Sequence, residues 1–68
     1  MKVLRFSQVE EMTGLSRIMI WRLEKNFEFP KRIQLTKNTV GWIEEEIQEW
    51  LENRPRVMGG EDSKPNIN

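Results

Sequence analysis

The stretch Thr13-Gly14-Leu15-Ser16-Arg17-Ile18-Met19-Ile20-Trp21-Arg22-Leu23 decides the fold. Gly14 ends one helix, because glycine accepts the left-handed conformation just past a helix C-terminus. Ser16 begins the next: its hydroxyl suits an orphan amide of the first turn, and Leu15 before it can pack on Ile20 as a hydrophobic staple. Two helices joined by so short a glycine-containing turn form a helix-turn-helix. The helix before the joint is predicted from Gln8 to about Thr13, with Ser7 and Glu10 as a capping box and Val9 and Met12 or Thr13 facing inward. The helix after it is predicted over Arg17 to about Asn26, and Pro30 bars any continuation.

Downstream, Arg32-Ile33-Gln34-Leu35 alternates polar and apolar residues as a half-buried strand does. Thr36-Lys37-Asn38-Thr39 has turn chemistry, with Asn38 able to take a positive φ, and Val40-Gly41-Trp42 returns as a second strand. A third helix follows, with Ile43, Ile47, Trp50 and Leu51 on one apolar stripe. Glu44, Glu45 and Glu46 crowd its first turn, where the helix dipole favours anions; Arg54 sits at its end and Pro55 stops it. From Arg56 onward only Val57, Met58 and Ile67 are apolar, which reads as disorder. The expected architecture is mainly α with a small β-hairpin: a winged helix-turn-helix of three helices plus a two-stranded wing over residues 1–54, then a flexible C-terminal tail over 55–68.

Sixty-eight residues allow one domain, and the absence of cysteine, histidine and tyrosine removes disulfides, thiolate or imidazole metal sites and any nucleophile–histidine pair. No enzyme, cofactor, metal or small-molecule ligand is expected. The opening Met1–Phe6 has too short an apolar run for a signal peptide, and no stretch approaches the roughly 20 apolar residues of a membrane span, so a soluble cytoplasmic protein is expected. The net charge of zero conceals a division. Residues 1–43 carry eight cations against four carboxylates, and residues 44–68 carry three against seven. Such asymmetry suits a chain with one face for phosphate and another for water.

The second helix has two faces. Met19, Ile20, Leu23 and Phe27 gather on one side as a core stripe; Ile18, Trp21, Arg22 and Lys25 gather on the other. A solvated face has little use for isoleucine and tryptophan, and a buried face has little use for arginine and lysine. The mixture suits a DNA groove, with arginine for guanine edges or phosphate and apolar groups for thymine methyls and sugar. Arg17, at the helix N-terminus, is placed for a phosphate. The plain alternative packs Ile18 and Trp21 against the N-terminal strand or the tail. Lys31, Arg32 and Lys37 around the hairpin tip the balance toward DNA. Trp42 and Trp50 are read as core, and Glu45 and Glu49, one turn apart on a polar face, as solvated and not as an acid–base pair.

Arg5-Phe6, Thr13-Gly14-Leu15-Ser16-Arg17, Ile20-Trp21-Arg22-Leu23, Phe29-Pro30-Lys31 and Val40-Gly41-Trp42 before an acidic helix ending at Trp50-Leu51 together resemble the AlpA family of phage and prophage regulators and excisionases. The resemblance covers about residues 4–54. It implies a winged helix related to the MerR and excisionase folds, with Ser16, Arg17, Met19, Trp21 and Arg22 on the recognition helix and Lys31 to Asn38 in the wing. Met19 is therefore a core residue on the helical wheel and a contact by resemblance. Phe27 stands where the family often has glycine, and the wing lacks the usual glycine pair, with Lys37-Asn38 at its tip.

The candidate DNA-contacting residues are thus Ser16, Arg17, Ile18, Met19, Trp21, Arg22, Lys25, Lys31, Arg32, Lys37 and Asn38. The expected partner is double-stranded DNA and the chain is expected to be a monomer in solution, with its oligomeric state on DNA, cooperation on tandem sites and contact to an integrase or RNA polymerase left open. The competing reading is a protein-interaction module, an anti-repressor or adaptor, using the exposed face of the second helix.

Overall fold

The computed structural model describes residues 1–57. In chain order the elements are β1 (Val3–Leu4), α1 (Phe6–Thr13), α2 (Arg17–Lys25), β2 (Ile33–Thr36), β3 (Thr39–Ile43) and α3 (Glu44–Glu52). The three expected helices and the hairpin are present, and β1 adds a third strand in an antiparallel sheet of order β1-β3-β2. Val3 pairs with Ile43 and Leu4 with Trp42. A strand this short shows no alternation, so periodicity does not find it. Gly41 admits it: a Cβ there would lie 2.6 Å from Val3 Cγ1 and 2.9 Å from the Leu4 carbonyl. Only a residue without a side chain lets the strands approach so closely.

The core is Leu4, Val9, Ile20, Phe29, Trp42 and Ile47, with Phe6, Met12, Leu15, Leu23, Trp50 and Leu51 packed around it. Each helix gives it one fully buried residue, Val9, Ile20 and Ile47. Trp42 is also fully buried, and its indole N–H donates to the Pro30 carbonyl at 3.0 Å, so no polar group is stranded beside it. The edge-on contact of Phe6 with Trp42, centroids 4.7 Å apart, ties the start of α1 to this centre.

The joint between α1 and α2 is built as its residues dictate. Gly14 has φ 77° and its N–H donates to the Glu10 carbonyl at 2.8 Å, while Ser16 Oγ accepts from the Met19 N–H at 3.2 Å. The start of α1 differs from expectation. Phe6, held on Trp42, is its first residue; Arg5 is the N-cap and donates its N–H to Gln8 Oε1 at 2.9 Å. Ser7 consequently lies inside the first turn, and the Ser7–Glu10 capping box does not form.

The core stripe expected of α2 is half right. Ile20 is buried and Leu23 partly so, but Met19 is 42% exposed and Phe27 79% exposed. The buried place belongs to Glu24, one turn after Ile20. Its carboxylate accepts the Arg32 backbone N–H at 2.9 Å and meets Arg32 Nε at 3.4 Å, which offsets the loss of water around the charge. Beyond Lys25 the chain turns through Asn26 into Phe27, at φ 61°. The Phe27 N–H donates to the Glu24 carbonyl at 3.0 Å and the Glu28 N–H to the Leu23 carbonyl at 2.8 Å. This doubly bonded ending is the Schellman motif, with phenylalanine in the left-handed position that normally holds glycine.

In the hairpin, Ile33 pairs with Gly41, Gln34 with Val40 and Thr36 with Thr39, leaving Leu35 as the extra residue of a bulge. Asn38 does not take a positive φ; Phe27 is the one non-glycine residue that does, among those described. The bulge adds the local twist that a positive-φ turn would otherwise supply. Gln34 Nε2 closes the turn by donating to the Lys37 carbonyl at 2.8 Å. Ile43 ends β3 and caps α3 instead of belonging to it, and α3 stops at Glu52, before Pro55. Arg54 lies past that end with its guanidinium 4.6 Å from the Trp50 ring centre. Pro55, Arg56 and Val57 are exposed, and the remainder of the expected tail, 58–68, lies outside the described residues.

Candidate nucleic-acid interface

The helix-turn-helix joint sets α2 with Ile20 inward, which turns Ile18, Trp21, Arg22 and Lys25 outward as a group. Ile18 is 63% exposed and Trp21 47% exposed, so neither is packed away against β1. Met19 is exposed as well, which corrects the helical wheel's reading of it as a core residue. Ser16 is exposed, with its Oγ engaged in capping α2.

Aromatic rings fix several of the cations. Lys25 Nζ stands 4.6 Å from the Trp21 ring centre, Lys31 Nζ 4.5 Å from that of Phe27, and the Arg17 guanidinium carbon 4.3 Å from that of Phe6. A ring face attracts the charge without consuming its N–H donors. The contact leaves these cations free to donate hydrogen bonds. Lys37 and Asn38 sit exposed at the hairpin turn. Arg32 is different. Its pairing with Glu24 is the sole ion pair among the described residues, so of the candidate cations it alone has its charge compensated.

Two clefts connect these groups. One, about 400 Å³, lies between α2 and the entry to the hairpin and is lined by Trp21, Glu24, Lys25, Lys31 and Arg32. The other, about 320 Å³, is lined by Arg5, Phe6, Ser7, Arg17, Asn38 and Val40 and joins the starts of α1 and α2 to the hairpin turn. The structure therefore brings helix and wing together, and no carboxylate of α3 lines either cleft. Glu45 and Glu49 are exposed, as expected of a solvated face. Sequence reasoning missed Glu24, although its spacing of four from Ile20 places it on the inner stripe. It also missed Arg5, which the fold carries to the second cleft from outside any helix.

The family model of the prophage CP4-57 regulatory protein AlpA matches residues 2–55. The chain belongs to the AlpA family. It is 38% identical over 63 residues to the DNA-binding transcriptional activator AlpA of Escherichia coli K12, covering 84% of this chain and 90% of that one. It is 34% identical over 53 residues to the uncharacterized ORF88 protein of Enterobacteria phage P4, covering 78% of this chain and 60% of that one. The AlpA match runs from β1 to just past α3, so it contains both clefts. At the two places where the sequence departs from the pattern of the resemblance, Phe27 itself holds a left-handed conformation, and the hairpin carries a bulge at Leu35 with no positive φ at Lys37 or Asn38. No helix among the described residues is long and apolar enough to cross a membrane.

Proposed function

We propose that the chain binds duplex DNA, with the outer face of α2 in the major groove and the hairpin against the flanking backbone or minor groove. In this reading it regulates transcription in the cytoplasm, or steers a recombinase as an excisionase, and performs no catalytic step. One observation carries it: Ile18, Trp21, Arg22 and Lys25 are exposed on the outer side of α2, and Trp21 and Lys25 share a cleft with Lys31 and Arg32 of the wing. The E. coli relative's description as a DNA-binding transcriptional activator agrees with it.

Binding should weaken steeply with salt. Engagement of five or so cations gives a slope of log K against log salt of about −4 to −5. Arg22, mid-face between Ile18 and Trp21, is assigned to base edges, and Lys37 at the turn to phosphate. Arg22→Ala should cost about 1–3 kcal/mol on the preferred site and much less on random DNA. Lys37→Ala should weaken both alike and make the slope shallower by about one. Titrations at several salt concentrations, on variants that keep the wild-type melt, test this. A flat salt response, together with a protein partner that Trp21→Ala no longer binds, would instead support the adaptor reading, which draws on the exposure of Ile18 and Trp21.

A further inference from the structure

We propose that the cleft between the starts of α1 and α2 and the hairpin turn is an anchoring site for one backbone phosphate, held by Arg5 and Arg17 together. The proposal rests on the DNA-binding reading and adds Arg5, with Ser7 as a lesser donor, to the contact surface.

The cleft is lined by Arg5, Phe6, Ser7, Arg17, Asn38 and Val40, so every polar side chain in it can donate a hydrogen bond and none is a carboxylate. The Glu24–Arg32 contact is the sole ion pair among the described residues, which leaves both arginines without an acidic partner there. Two guanidinium groups around one concavity repel each other, and an anion between them reverses that term. Arginine's planar fork matches the oxygens of a phosphodiester. Contacts connect the site to the core: Arg17 lies over Phe6, Phe6 stands edge-on to Trp42, and Trp42 is fully buried. The cleft beside Lys25 and Lys31 contrasts on both counts, since Glu24 lines it and already engages Arg32.

Its placement fits a backbone contact. In helix-turn-helix complexes the first helix crosses the sugar-phosphate strand while the second reads the groove. A phosphate held between the N-terminal ends of both helices and the wing turn would fix the depth and register of α2 without reading sequence. The ligand is therefore a phosphodiester of the bound duplex and not a free anion.

The test compares Arg5→Gln, Arg17→Gln and the double variant with wild type on two unrelated duplexes over a range of salt. Because both arginines hold one phosphate, either single change should weaken binding equally on both duplexes, and the double variant should make the salt slope shallower by about one. Arg5→Lys and Arg17→Lys, which keep the charge, should retain the wild-type slope, and this guards against loss of fold when Arg17 leaves Phe6. Unchanged affinity in Arg5→Gln on both duplexes, with its melt intact and wild type binding normally, overturns the clamp. Wild type that binds no duplex at any salt overturns the DNA reading itself. Inorganic phosphate titrated into the DNA-free protein, followed through the amide resonances of Arg5, Ser7 and Arg17, should give no saturable shift at millimolar concentration. A saturable shift would reassign the cleft to a free anion.

Discussion

Helices α2 and α3 are each nine residues long, and each buries one isoleucine completely, Ile20 and Ile47. Their outer faces have opposite chemistry. In α3 the first turn carries Glu44, Glu45 and Glu46, which the dipole favours, and Gln48, Glu49 and Glu52 keep the outside hydrated. In α2 the first turn has no acid at all, Arg17 stands where the dipole disfavours it, and Ile18 and Trp21 face water. α2 is stabilised at other places, by the Ser16 N-cap and by Arg22 and Lys25 in its last turn, where the dipole favours cations. Arg17, Ile18 and Trp21 are the departures from the α3 pattern that neither capping nor the dipole explains. Under the proposed DNA-binding reading, these departures are what mark α2 as the working surface.

The largest effect expected from this contrast concerns the tryptophans. Trp50 is half-buried, stands edge-on to Phe29 with centroids 4.7 Å apart, and donates its indole N–H to the Glu28 carbonyl at 2.8 Å. The ring of Trp21 has Lys25 over it and is about half open to solvent. Trp50→Ala should cost about 3 kcal/mol or more and unfold most of so small a domain, whereas Trp21→Ala should leave the melt close to wild type. Circular dichroism melts of the two variants check this. Equal losses would show Trp21 to be structural and would remove the contrast between the helices.

A smaller effect comes from exchanging side chains at matching places. Ile18 and Glu45 are each the second residue of their helix, and both are exposed. Ile18→Glu should raise stability by about 0.3–1 kcal/mol through the dipole, and Glu45→Ile should lower it by a similar amount. On DNA the outcomes should part: Ile18→Glu sets a carboxylate against phosphate and weakens binding, and Glu45→Ile leaves binding unchanged. Melting temperatures at low salt and one binding titration for each variant provide the measurement. An Ile18→Glu variant that is destabilised would mean that Ile18 contributes packing its exposure does not reveal.

Most of the architecture is legible in the sequence because single residues dictate backbone geometry. Gly14 and Ser16 fix the helix joint, and the alternation up to Leu35 locates β2, although all four of its residues are exposed and the expected half-burial is not found. What stays hidden depends on contacts between distant parts of the chain. Phe6 starts α1 early because it packs on Trp42, which no local capping rule registers. A helical wheel places Phe27 inward only when drawn past the actual end of α2, and it sets Met19 at the margin of the inner stripe, while Glu24 is buried where Arg32 arrives from the hairpin. The outer face of α2 is legible, since an amphipathic pattern shows which residues the core leaves out. Arg5 is not, because only the fold brings it beside Arg17 and Asn38.

The smallest effect lies where α2 ends and isolates one residue. Phe27 holds a left-handed conformation at φ 61°, its ring is 79% exposed, and Lys31 Nζ stands 4.5 Å from its centre. For a residue with a side chain that conformation costs roughly 1–2 kcal/mol. Little burial offsets this, and an exposed cation–π attraction returns roughly 0.5–1 kcal/mol. Phe27→Gly relieves the backbone cost but removes the ring from Lys31 and frees the unfolded chain, so its stability should fall within about 0.5 kcal/mol of wild type. Phe27→Ala removes the ring and keeps the backbone cost, so it should be less stable than the glycine variant by about 1 kcal/mol. The difference between the two variants measures the left-handed cost less the extra unfolded-chain freedom of glycine, because both lack the ring. Chemical denaturation of the pair gives that difference directly, and equal midpoints would mean that the strain is no larger than that entropy term. If the glycine variant matches wild type in stability yet binds DNA less well, the ring at this helix end is retained for holding Lys31 beside the groove and not for the fold.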